Sequence, residues 1–325
     1  MRSGKISESI LKRSVLKEIH AKNENVITGA GVGMDAAVIK CDDAMVCATT
    51  TVTLSEGYWG ECGIVRVWND IACMGGRMQA VMMNITLPED FDERMLKTIM
   101  RQSDEVSKHL GVQIAGGHTE VLRHVVKPVV SYTGLGKRVH NSSKKIEPGD
   151  RIAITKWIGM EGAYLLTQYK EEELKKRFPA QMIEPVRRMG EWLSICEEAY
   201  LAMEHGASFV HNLSNGGVLN GLWELSVRGK CGIHVDFKKI PVRQEIIEVC
   251  ELLDLNPYQL LSGGSLLLTV PQGSDAVEAI KEQGIPICVI GEMTDNNDKI
   301  LVNEDEIRYL DVPARDELWK IFNEE

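Results

Sequence analysis

The segment HNSSKKIEPGD, residues 140–150, does most to limit what this chain can fold into. It is polar, carries a single aliphatic residue, Ile146, and ends in Pro148-Gly149, a pair that marks a turn. On either side the apolar pattern switches between the period-two spacing of strands and the 3.6-residue spacing of helices. A chain of 325 residues is also too long for one simple core. Two domains are therefore expected, 1–145 and 146–325, each mixing strands and helices in largely antiparallel sheets.

In the first half, Ile10, Leu11, Val15, Leu16 and Ile19 have helical spacing, which predicts a helix over 7–20. Residues 37–53 read as a hairpin that turns at Asp42-Asp43. A buried helix is expected over 61–75, a strand over 79–88 stopped by Pro88, and an amphipathic helix over 89–111 ended by Gly111. VQIAGG reads as a short strand running into a Gly116-Gly117 turn, and 127–138 as another strand. The second half reads strand, glycine turn, helix over 150–169, then a helix over 181–205. Strand, loop, helix and strand follow over 208–237, and a helix over 243–255. Strands at 262–271 and 285–294 flank a helix at 274–284, and NEDE (303–306) reads as a solvated turn.

Composition excludes several classes. The formal charge is −10 and the Lys and Arg residues are scattered, so there is no nucleic-acid footprint. An anionic ligand must be held by a local site, through backbone N–H groups and metal. None of the eight cysteines forms a CxxC pair, which argues against a zinc or thioredoxin-type site. The N-terminus lacks the apolar core of a signal peptide. No apolar run reaches the roughly eighteen residues of a membrane span. A cytoplasmic protein with reduced thiols is expected.

Two short segments carry the chemistry. GVGMDAAVI (31–39) and VWNDIACMGG (67–76) each set one aspartate, Asp35 or Asp70, among glycines and small apolar residues. Two such carboxylates, brought together, are how proteins hold Mg²⁺ against phosphate oxygens. An isolated aspartate is more often a cap, so the pair counts for more than either member. AGGHTEV (115–121) adds a glycine pair with polar groups directly behind it. GVGMDA also fits the loose GxGxxA fingerprint, but the strand-like AVIKCDDAMVCATTTV follows where a dinucleotide site needs a helix. A Rossmann domain is rejected. Cys73 reads as core, and Asn212 and Asn215 read first as N-caps of a helix over 216–228.

Six segments in this order, GVGMDAAVI, VWNDIACMGG, GGHTEV, HNLSNGGV, LLSGGSLLLTVP and IPICVIGEMT, resemble the AIR synthetase superfamily. The chain looks most like its HypE-type hydrogenase-maturation and AIR-synthase-related branch, from Gly4-Lys5 to DELWKIF (316–322). The resemblance implies a two-domain α/β (α+β) fold, an N-terminal domain that closes a β-barrel across a homodimer, and a C-terminal α/β domain. It implies ATP and Mg²⁺ as cofactors, in a cleft near the dimer seam. The implied chemistry is activation of a carboxamide, carbonyl or phosphate acceptor on a small molecule or protein.

By position, Asp35 and Asp70 match the family's metal carboxylates, and Asn69 its neighbouring asparagine. Gly31 and Gly33 flank the first carboxylate. Gly116, Gly117, His118 and Thr119 match the phosphate-side turn, with Asp70 and His118 as the catalytic pair. Lys5 sits where an N-terminal segment closes over phosphates, and Asn212, Gly216 and Gly217 match a loop whose helix start binds anions. Some positions depart from the pattern: Thr50 and His118 stand where many members carry aspartate, and Asn212 and Asn215 where many carry charged residues. The given chain ends IFNEE, without the terminal cysteine of HypE proteins that carry a thiocarbamoyl group. Two alternatives therefore stay open beside the enzyme: a nucleotide-binding regulatory protein without turnover, and a maturation-complex partner.

Overall fold

The computed structural model describes residues 4–5, 8–28, 30, 38–40, 45–53, 58–140, 145–312 and 315–322. Two compact units form, Met1–Val139 and His140–Glu325.

In the first unit the chain runs β1 (Gly4–Lys5), α1 (Glu8–Ser14), β2 (Val26–Thr28), β3 (Val38–Ile39) and β4 (Met45–Val52). A π-helical turn (Glu61–Val65) then leads into α2 (Arg66–Cys73), followed by β5 (Gly76–Leu87), α3 (Glu93–Leu110), β6 (Gln113–Val121) and β7 (Val129–Arg138). One five-stranded sheet has the order β1-β6-β5-β7-β4. Only β5 and β6 pair in parallel, because α3 carries the chain back between them. The helix α3 starts where Asp92 accepts the Arg94 N–H (2.8 Å) and stops at left-handed Gly111.

Among the described residues of 37–53, β3 and β4 do not pair with each other, and the expected turn at Asp42-Asp43 lies outside the described residues. β3 pairs with β2, and β4 pairs with β7 over eight residues. The predicted helix over 7–20 also breaks, with α1 ending at Ser14 and a 3₁₀ turn at Leu16–Glu18.

Helices cover one face of the five-stranded sheet. An added Cβ at Gly134 would lie 2.8 Å from Ile71 Cδ1, and one at Gly63 would lie 2.2 Å from the Tyr132 ring. Both glycines are close-approach positions between the sheet and the segment from the π turn through α2. Tyr132 is fully buried there, and its hydroxyl meets Ser103 Oγ of α3 at 3.0 Å.

The second unit contains β8 (Arg151–Thr155), α4 (Met160–Tyr169), α5 (Glu171–Arg177), α6 (Ala180–Arg187), α7 (Cys196–Glu204), β9 (Phe209–Asn212), α8 (Gly217–Gly229) and β10 (Gly232–Asp236). It continues with α9 (Gln244–Leu252), β11 (Leu266–Val270), α10 (Ala276–Glu282), β12 (Ile287–Thr294), β13 (Lys299–Asn303), β14 (Glu306–Tyr309) and α11 (Leu318–Phe322). Its seven-stranded sheet has the order β14-β13-β10-β12-β8-β11-β9, with only β10 and β13 parallel. NEDE makes the turn of the β13–β14 hairpin, with Glu304 at φ +55°.

The helix expected over 181–205 is split into α6, a 3₁₀ turn (Arg188–Trp192) and α7. Gly190 in the turn lies against Tyr164, whose ring would be 2.7 Å from an added Cβ. The segment after the turn is held by Lys156, whose Nζ donates to Trp192 O (2.9 Å) and Ser194 O (2.6 Å) and pairs with Glu198 (2.7 Å). Three ammonium hydrogens meet three acceptors at a site where both side chains are only 4% exposed. Burial still pushes the Lys156 pKa down, against the pull of Glu198. Among the described residues no helix is long and apolar enough to cross a membrane.

A link between α1 and α3 gives this fold a pH dependence. Glu93 accepts from Arg13 (Nε, 2.8 Å) and Ser14 (2.7 Å), which lowers its pKa from 4.5 to about 2. A carboxylate held below its unfolded value stabilises the fold fully above that value and loses the contribution as pH falls. Stability measured by urea midpoint should therefore drop as pH falls from about 4.5 towards 2. Glu93→Gln should flatten that part of the profile.

Candidate functional site

Strand alternation sorts the predicted residues of the first unit. Ser131 pairs in register with Asn84 and Thr51, and Asn84 with His118. In-register neighbours share a face, and this row lies one residue out of phase with Tyr132 and Gly134, which face the helices. Among the described residues of this unit, the face turned away from the helices carries His118, Asn84, Ser131 and Thr51 across four strands, with Glu120, Thr133 and Thr49 beside them. Thr51 Oγ1 meets Ser131 Oγ at 2.9 Å and Thr49 Oγ1 meets Thr133 Oγ1 at 3.1 Å. His118 is 49% exposed, with Nε2 3.7 Å from Glu120 Oε2. Backbone pairing sets Lys5 opposite Glu120. This face offers imidazole, amide, hydroxyl and carboxylate groups on a rigid frame.

The Gly116-Gly117 turn is not there. Both glycines lie within β6, where the β5–β6 register shifts between Val81 and Met82. Gly117 has φ +150°, and a Cβ would lie 1.7 Å from Met83 O. Glycine is needed for an irregular, tightly packed strand, which a tight turn mimics in sequence. Consequently His118 and Thr119 point to opposite faces, and Thr119 is buried against the helix side with Ile85 and Val130. Thr50 pairs in register with Tyr132, on the same covered side.

Asn69 and Asp70 belong to α2, on the covered side. Asn69 is buried and Asp70 half-buried, in the last turns of the helix. The structure thus groups Gly116, Gly117, His118 and Thr119 on β6 with the backbone of Lys5, and Asn69 with Asp70 on α2. Asp70 and His118 are separated by the sheet. Gly31, Gly33 and Asp35 lie outside the described residues. Among the described residues, no group of three or more His, Cys, Asp or Glu side chains could hold a metal.

In the second unit, Asn212 ends β9, and left-handed Gly216 and Gly217 start α8. Neither Asn212 nor Asn215 caps the helix, because the helix makes no side-chain cap from this loop. The carboxylate of Asp316 takes that place, accepting the Gly216 N–H at 2.6 Å and the Leu318 N–H at 3.0 Å. Gly217 N–H is turned to Ser214 O at 3.1 Å. The anion expected at this helix start is supplied by the chain itself. A similar contact follows, since Glu317 accepts the Asn256 N–H at 2.9 Å. His211 supports α8 through Glu224 at 2.9 Å.

Sequence reading missed Asp316 and the open-face row. A signal for the row exists: Thr49 and Thr51, then Ser131 and Thr133, repeat small polar residues at period two. Asp316 had no local signal.

Two substitutions test this geometry by denaturant midpoint. Gly117→Ala should destabilise by about 3 kcal/mol through backbone strain and overpacking. Asp316→Ala should cost about 2 kcal/mol and raise hydrogen exchange at Gly216 and along α11, since two N–H donors lose a charged acceptor.

Comparison with known proteins agrees with the architecture. Residues 33–138 match the family model for the AIR synthase related protein N-terminal domain, and 147–303 that for its C-terminal domain. A thiamine-monophosphate kinase of Pyrococcus horikoshii is 26% identical over 86% of this chain and 89% of its own length. A carbamoyl dehydratase HypE of Rhodobacter capsulatus is 24% identical over 75% and 74%. The crystal structure of hydrogenase maturation protein HypE in complex with ATP is 20% identical, covers 96% of each chain and gives a TM-score of 0.79. With both domain types present in order, the chain belongs to the AIR synthase related family.

Proposed function

We propose that this protein binds ATP with Mg²⁺ and uses it to activate a carboxamide, carbonyl or phosphate acceptor, working as a homodimer. The observation that carries this reading is the ordered match of both halves to the two AIR synthase related domains. Relatives over most of the chain's length include a kinase and a dehydratase, and a HypE structure of the same fold holds ATP. Asp70 and Asp35 would hold the metal, with Asn69 beside them and Gly31 and Gly33 shaping the loop. The metal would neutralise charge on the phosphate oxygens. His118, on the open face, and Lys5, whose backbone pairs with Glu120, would contact the transferring phosphoryl group or its acceptor.

Asp70 and His118 lie on opposite sides of one sheet, so a site that uses both would draw them from two copies. A second reading, nucleotide binding without turnover, is favoured by one observation: Asp316 already fills the anion position at the start of α8.

Calorimetric titration with a non-hydrolysable ATP analogue tests the first reading. Micromolar binding that requires Mg²⁺, and falls at least about tenfold in Asp70→Asn, is expected. Unchanged affinity in that variant would remove Asp70 from the site. Binding with no turnover across a panel of acceptors would favour the second reading. Co-expression of Asp70→Asn with His118→Ala tests the shared site. If each alone binds no nucleotide, mixed dimers should recover about a quarter of the wild-type stoichiometry. No recovery would place both groups in one copy's site.

A further inference from the structure

A cavity of about 360 Å³ in the second unit touches none of the expected site residues except Gly216. One part of its lining is the aromatic pair Phe237 and Tyr258, with ring centroids 4.2 Å apart and tilted by 32°. Another part is the edge strand β14 and the residues after it, which bring Arg308, Tyr309 and Val312. Tyr309 is 66% exposed and Val312 74%, a high exposure for large apolar groups that border a concave site. Isolated exposed apolar residues need no explanation, but these line the same hollow as an aromatic pair.

The polar groups complete the description. Asn256 and Gln259 bring amides, with Asn256 Nδ2 3.2 Å from Gln259 Oε1. Amides offer both donors and acceptors to the edge of a ring. Arg308 pairs with Glu306 at 2.8 Å, but the two side chains are 68% and 52% exposed. Such a surface pair is weak and open to exchange for a better anion. Asp311 adds one acceptor at the same wall, suited to hydroxyl or amino donors. Burial raises the Tyr258 pKa, which keeps its phenol a neutral hydrogen-bond donor.

We propose that this cavity binds a planar heteroaromatic ligand bearing an anionic group, of nucleoside monophosphate size. The ring stacks on Phe237, Tyr258 and Tyr309, its edge meets Asn256 and Gln259, and the anion sits on Arg308. The volume lies at the lower end of the usual range for small-molecule sites, about 300–1,000 Å³. All lining residues belong to the second unit, so the inference does not depend on the proposed ATP site of the first.

The test is calorimetric titration of Asp70→Asn protein without Mg²⁺, which silences the proposed ATP site. The probes are adenosine and uridine monophosphates, adenosine, and inorganic phosphate. At least one monophosphate should bind with micromolar affinity, adenosine more weakly, and phosphate alone not at all. Tyr309→Ala should weaken binding about tenfold, consistent with the loss of one stacking surface. Arg308→Gln should reduce the monophosphate to the affinity of adenosine and leave adenosine unchanged. Both side chains are exposed, and an unchanged Tm will show that the variants fold. No saturable binding of either monophosphate would overturn the proposal, as would affinities that neither variant moves. Equal binding of inorganic phosphate would remove the aromatic part of it.

Discussion

Much of the first unit follows from the alternation of side chains along β5, β6 and β7 beyond the register shift at Val81–Met82. Helices can cover only one face, and their close approach at Gly63 and Gly134 fixes which residues face them. The other residues are forced outward together. That is why His118, Asn84, Ser131 and Thr51 form one row although they are scattered through the sequence. A slip of one residue in any of these ladders would exchange the polar row for Tyr132, Met83 and Gly117. The bulge between Val81 and Met82, with Gly117 packed on Met83 O, holds the β5–β6 register in place.

The strongly periodic segments were readable from sequence. The helix ending at Gly111 and the strand before Pro88 carry local stop signals that the structure obeys, with the starts displaced to Glu93 and Gly76. The failures share a cause. Val38–Ile39 and Met45–Val52 are neighbours in sequence, yet they pair with β2 and β7, and β7 lies more than eighty residues from β4. Gly116-Gly117 looks like a turn because close backbone packing selects the same residue. Asn212 and Asn215 look like caps because nothing local reveals the carboxylate that arrives one hundred residues later. Local chemistry was legible, and long-range competition for the same groups was not.

The candidate site was legible in the same partial way. The residue types at Asp70 and His118 are visible in sequence, but their separation by a sheet is visible only in three dimensions. The family relationship explains why these residues stand together in order along the chain. The topology changes what that order means, since neighbours in a motif set need not be neighbours in one copy of the fold. The two units also differ in how they treat anions. The first leaves a polar face open, whereas the second satisfies its glycine-rich helix start internally with Asp316.

The contact between Asp316 and Gly216 ties the middle of the second unit to its last elements. During synthesis the loop at 214–217 emerges long before its carboxylate partner. Likewise β8 must wait for β11 and β12, its neighbours on both sides in the finished sheet. Such non-local pairing makes folding slow, because loop closure comes before its reward. While the chain is being made, α8 therefore has an unsatisfied N-terminus, and its apolar residues Val218, Leu222 and Leu225, buried in the finished core, lack their cover. The second unit can therefore close over α8 only once Asp316 has been made, and until then that apolar face is exposed to misassembly.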